Sequence, residues 1–163
     1  MPSDTAAART PVVFVHGLWL HAESWAPWVA HFRAQGFQAI AASWPGDGGS
    51  VEATRRNPAA LAGFGVDDVV DHVARQFPAS APRPILIGHS FGGLVVQKLL
   101  GQGRATAAIA IDPAPIRGVW QLPLSALKAS FPALGNPLNY RKAVALTEPQ
   151  FRYAFANAVS DVE

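Results

Sequence analysis

The chain contains no cysteine, which excludes a disulfide scaffold and a thiolate metal site. Charge is scarce as well. Charged residues fill 15% of the 163 positions, against about 25% in ordinary soluble domains, while half of the chain is hydrophobic. That balance excludes a disordered chain. The net charge is only +2, and the adjacent Arg55-Arg56 falls in an expected loop, so no electrostatic case for nucleic acid arises. No run approaches the roughly 18 apolar residues of a membrane span. The opening MPSDTAAART has no apolar signal core, so a cytoplasmic protein without a membrane partner is expected. No H-E-x-x-H pattern, repeat or low-complexity tract occurs, and neither a metal nor another cofactor is expected.

What is present is enough for one compact domain with a buried core. Pro11–Val15, with its β-branched residues, reads as a buried strand ending at His16-Gly17. Ser24 is placed to cap a helix from Trp25 to about Gln35, closed by Gly36. Phe37–Ser43 is a second strand. A loop is expected from Trp44 to about Gly65, rich in Gly and Pro, with Gly46-Asp47-Gly48-Gly49-Ser50 as a flexible rim. Val66, Val69, Val70 and Val73 share one face of a helix expected over Val66–Phe77. Ile85–Ile87 and Ala105–Ile111 read as strands on either side of a short apolar helix, Phe91–Leu100. Strands alternating with helices imply βαβ units and a parallel sheet covered on both faces. Beyond Pro115 no further strand is evident; Thr147-Glu148-Pro149 opens a helix running to about Val159.

Two loops carry chemistry. Gly88-His89-Ser90-Phe91-Gly92 is a G-x-S-x-G sequence between an apolar strand and an apolar helix, the context in which a sharp turn presents a nucleophilic serine. Ser90 is the candidate nucleophile, and the N–H of Phe91 at the helix start can receive a developing oxyanion. His16-Gly17-Leu18-Trp19 follows the first strand, and a second oxyanion N–H is expected there, on Leu18. His16, Gly17 and Trp19 are candidates for the substrate pocket. Trp25, Trp28 and Trp44 fit core packing better.

With HGLW, GHSFG and AIAIDPAP in these positions, the chain resembles the α/β-hydrolase superfamily, particularly its bacterial esterase, lipase and haloperoxidase-like members. The resemblance covers residues 10–115 well. It implies an α/β fold with a doubly wound parallel sheet, order 4-3-5-6 in hydrolase numbering. Residues 1–115 would form the core and 116–163 the beginning of a helical cap. It also implies a serine, acid, histidine order along the chain. None of the five histidines, His16, His21, His31, His72 and His89, follows Ser90. Asp112 ends the fourth strand, where some lipases of the superfamily carry their acid. The alternative is that it caps the turn before Pro113.

Four strands are spent by residue 112, so the chain reads as the N-terminal part of a hydrolase ending inside its lid. The unpaired fourth strand is expected to be covered by another chain, a C-terminal fragment or the lid helix. The favoured activity is hydrolysis of a carboxylic ester or related acyl compound, with the histidine supplied from elsewhere. The alternatives are a non-catalytic binding or interaction protein, and a cofactor-free lyase or perhydrolase on the same scaffold.

Overall fold

The computed structural model describes residues 10–77, 82–119 and 123–160. Strands β1 (Pro11–Val15), β2 (Gln38–Ala42), β3 (Ile85–His89) and β4 (Ala107–Ile111) form one parallel sheet in the order β2-β1-β3-β4. Its side chains sort by the two-residue period of a strand. Val12 and Phe14 pack with Ile87, Trp25 and Val29 on one face, the last from helix α1 (Ala26–Ala34). Val13, Val15 and Leu86 pack on the other against helices α3 (Val66–Ala74) and α4 (Phe91–Gly101). Both faces are thus covered, and the strands need no polar positions.

The connection from β1 to β2 passes through α1 on one face, whereas α3 leads to β3 on the far side of β1. The strand order therefore reverses between β1 and β3. The crevice at the carboxyl ends of those two strands is the place where doubly wound sheets bind ligands. His16 and Ser90 are the residues that leave β1 and β3 there.

Several boundaries differ from the sequence reading. Ser24 does not cap α1. A 3-10 turn at Ala22–Trp25 comes first, capped by His21, whose side chain accepts from the Glu23 N–H. The helix starts at Ala26, where the preset φ of Pro27 suits the first turn. The expected loop after β2 holds helix α2 (Val51–Arg56) and a 3-10 turn at Pro58–Leu61. Ser50 Oγ accepts from the Ala53 N–H at 3.1 Å, Glu52 lies in the first turn of α2 and Arg55 and Arg56 in its last, all favourable to a helix. Helix α3 ends at Ala74 rather than Phe77, although Phe77 remains in the core.

Beyond the sheet lie α5 (Leu124–Leu134) and α6 (Glu148–Phe155), which pack on each other. Thr147 and Gln150 close a capping box at the start of α6. Among the described residues, none pairs with the outer edge of β4, and Ile109 on that strand is 52% exposed. Helices α5 and α6, one of the covers expected for this edge, pack on each other.

Candidate active site

The turn from β3 into α4 is built around Ser90, whose backbone sits at φ 55 and ψ −120. A serine held at positive φ is strained and needs surroundings that fix it. Those surroundings are specific. The Ser90 N–H donates to the Ile111 carbonyl at 3.0 Å, extending the β3–β4 ladder by one step. Its carbonyl accepts from Leu94 at 3.3 Å and from Ala114 at 2.9 Å. A Cβ on Gly88 would lie 2.2 Å from the Gly92 carbonyl oxygen, and one on Gly92 only 2.1 Å from that of Val15. Glycine is required at both positions because backbone meets backbone there.

The β1 loop crosses directly beside the serine. A Cβ on Gly17 would come within 2.8 Å of Ser90 Cβ and 3.3 Å of Ser90 Oγ. Trp19 adopts φ 62 in a turn that a long Leu20 N–H to Gly17 carbonyl contact, 3.4 Å, closes. Among the described residues, no loop or turn carbonyl accepts the N–H of Leu18 or of Phe91. Two backbone donors thus flank the serine without turn partners, one on each loop, although buried N–H groups are normally paired.

The expected pocket residues divide. Gly17 is against the serine, as above. Trp19 donates its indole N–H to the Val144 carbonyl at 2.8 Å and meets Phe155 of α6 edge-on, with ring centroids 6.2 Å apart. His16 is only 2% exposed. Its Nδ1 lies 2.9 Å from the Gly17 carbonyl oxygen and its Nε2 3.0 Å from Asp47 Oδ2. Its ring stacks on Trp44 at 5.0 Å.

The segment read as a flexible rim is pinned by the same contacts. The Asp47 side chain is 3% exposed and takes the Trp44 N–H at 2.6 Å. Sequence reasoning missed Asp47 because Gly-Asp-Gly-Gly matches a solvent loop as well as a tight turn. At the outer end of this rim, the Glu52 carboxyl is held below its ordinary range. Its own backbone N–H contributes most, then Ser50, with smaller help from Arg55 and His21.

No base is assembled on Ser90 among the described residues, and no hydrogen bond involving its hydroxyl is seen. His21 accepts from the Glu23 N–H through Nδ1 and faces the Gly48 carbonyl through Nε2 at 3.2 Å. His31 is exposed on α1, and His72 lies near Ser43 on the sheet's other face. His89 is half-buried at the end of β3. Asp112 is exposed at φ 40, in the turn beside the elbow, with no histidine paired to it. A cavity of about 490 Å³ opens between the 21–23 turn and the 47–49 loop, and Ser90 does not line it. No group of three His, Asp or Glu able to hold a metal occurs among the described residues. No helix among them is long and apolar enough to cross a membrane.

Residues 12–162 match the alpha/beta hydrolase family. The chain belongs to that family. Among solved structures, this family member is similar to an extracellular alpha/beta-hydrolase from a Paenibacillus species, described as sharing structural and functional homology with tobacco salicylic acid binding protein 2. The two are 27% identical over 94% of this chain and 62% of that one, with a TM-score of 0.64. A monoacylglycerol lipase from Paleococcus ferrophilus is 26% identical over 77% of this chain and 49% of that one, at TM-score 0.51. Tomato methylketone synthase I, at 21% identity and TM-score 0.53, covers 80% of this chain and 50% of its own, and shares the fold. The chain thus spans 49–62% of the length of these hydrolase-fold proteins. No curated protein matches it.

Proposed function

We propose that this chain carries the nucleophile and oxyanion hole of a serine hydrolase acting on a carboxylic ester or a related small acyl substrate. The observation that carries the reading is the approach of Gly17 to Ser90, within 2.8 Å of its Cβ for an added methyl. With it come two N–H groups, of Leu18 and Phe91, that no loop carbonyl takes. Ser90 Oγ attacks the acyl carbon while its proton passes to a base. The carbonyl π pair becomes an oxyanion held by the two N–H groups, and its collapse expels the alcohol, which takes the proton back from the base. Water, deprotonated by the same base, then cleaves the acyl-serine ester and releases the acid and Ser90. The reaction so written needs no cofactor. Gly17 and Trp19 would line the substrate pocket, with His16 behind them. Asp112, beside the elbow, is the proposed acid. Similarity to a monoacylglycerol lipase supports an ester as the substrate class.

The base is proposed to come from a segment that pairs with the free edge of β4, on a second chain or a C-terminal fragment. In this division, residues 1–115 form the core and 116–163 begin the cap. The absence of a histidine bonded to Ser90 among the described residues favours a second reading, a binding protein that keeps the pocket without turnover. A cofactor-free lyase or perhydrolase would also retain Ser90. A fluorophosphonate probe read by intact mass separates them. Labelling of the chain that disappears in Ser90→Ala supports an activated serine, as does labelling that appears only with a sheet-completing fragment. Labelling in neither case favours the binding protein.

A further inference from the structure

We propose that His16, braced by Asp47, is a positioning residue that aims the Leu18 N–H at the oxyanion. This rests on the hydrolase reading above and assigns the buried His16–Asp47 pair a part in it. The Gly17 carbonyl and the Leu18 N–H belong to one peptide unit. In a trans peptide these two groups point in opposite directions. The Gly17 carbonyl oxygen lies 2.9 Å from His16 Nδ1. A carbonyl only accepts, and so does a carboxylate, so Nδ1 donates to Gly17 and Nε2 to Asp47. Fixing the oxygen toward His16 therefore turns the Leu18 N–H away from His16.

The device has a reason to exist at this position. Gly17 must be glycine because a Cβ there would strike Ser90, and glycine leaves the backbone free to rotate. A flip of the Gly17–Leu18 peptide would present a carbonyl oxygen where the oxyanion develops, and the stabilising donor would become a repulsive dipole. The imidazole opposes that flip only if it is itself held. Asp47 Oδ2 lies 3.0 Å from Nε2, and the same oxygen accepts the Trp44 N–H. Trp44 stacks on the ring. With side chains 2% and 3% exposed, the pair is shielded from competing water. Donation to a carbonyl also polarises its amide, which strengthens the N–H at the other end.

The test is made on the full chain, with a sheet-completing fragment where labelling needs one, using His16→Asn, His16→Gln and Asp47→Ala. An Asn amide nitrogen can overlie Nδ1 and keep the bond to Gly17, whereas a Gln amide nitrogen overlies Nε2 and keeps the bond to Asp47. If His16 acts through the peptide, His16→Gln slows fluorophosphonate labelling of Ser90 about 10- to 100-fold, a fraction of the 10²–10³ carried by a whole oxyanion donor. His16→Asn recovers most of that loss. The NMR amide signal of Leu18 moves in His16→Gln more than in His16→Asn.

Equal losses in the two variants, or an unmoved Leu18 amide in both, would overturn the inference. If His16→Gln does not fold, Asp47→Ala decides on the same two readouts, because it removes the brace and leaves the ring in place: a slower label and a shifted Leu18 amide support the proposal, and the absence of both changes overturns it. A wild-type chain that labels neither alone nor with a sheet-completing fragment defeats the hydrolase reading instead. The Leu18 amide response then still decides the positioning role.

Discussion

Substituting Gly92 by alanine would set a Cβ 2.1 Å from the Val15 carbonyl oxygen and 2.5 Å from that of His16. Both neighbours are backbone of β1 and its exit, so neither can swing aside. The cost should exceed the roughly 1–3 kcal/mol of ordinary overpacking, read as a lower urea midpoint or loss of soluble protein. Gly101, at the end of α4, has nothing within 4 Å of the same added methyl. Gly101→Ala should therefore stabilise the chain by about 0.4–1 kcal/mol. Ser90, Gly88 and Gly92 were legible in the sequence because the elbow needs them at fixed spacing. Asp47 was not, since its partner His16 is 31 residues away and only the fold brings them together.

At the scale of elements, the sheet could be read because β1, β3 and β4 are short apolar runs and α3 carries its valines at helical spacing. Helix α2 hid in the Gly- and Pro-rich segment since it buries no residue and so shows no hydrophobic period. Its first turn leaves a prediction. Glu52 titrates below its ordinary range in the folded chain, so its support of α2 is present above the unfolded value. That support is lost as pH falls through the folded one. A carboxylate NMR titration should find its midpoint under the roughly 4.3 of a free glutamate, and Ser50→Ala should raise it. Trp19 makes a different kind of link. Its indole N–H joins the loop after β1 to Val144, between α5 and α6. Trp19→Phe keeps a ring near Phe155 but removes that bond, worth about 0.5–1.5 kcal/mol. Amide exchange around residues 142–147 should accelerate by about 2- to 10-fold, while β1 and β3 stay protected. An unchanged rate would mean that the ring contact alone holds the segment.

Over the whole molecule, the sheet has two edge strands, β2 and β4. On the β2 side, the Ser43 N–H and hydroxyl just past the strand are engaged by Gln76. At β4 nothing among the described residues pairs with the outer side, and the strand is five residues of alanine and isoleucine, AAIAI. Natural sheets protect such an edge with charge, proline or a covering element, and β4 has none of these along its length. An apolar, uncharged edge invites another strand, and Ile109, half-exposed on it, is the residue at which to test this. Ile109→Lys places a charge on the strand without entering either core cluster. It should lower concentration-dependent association of the isolated chain in sedimentation or light scattering and leave the thermal midpoint nearly unchanged. The same lysine should weaken binding of any segment that adds to β4, and with it the Ser90 labelling which that segment restores. Association insensitive to Ile109→Lys would assign it to the exposed apolar residues of α5 instead, where Leu124, Phe131 and Leu134 are each more than two-thirds exposed.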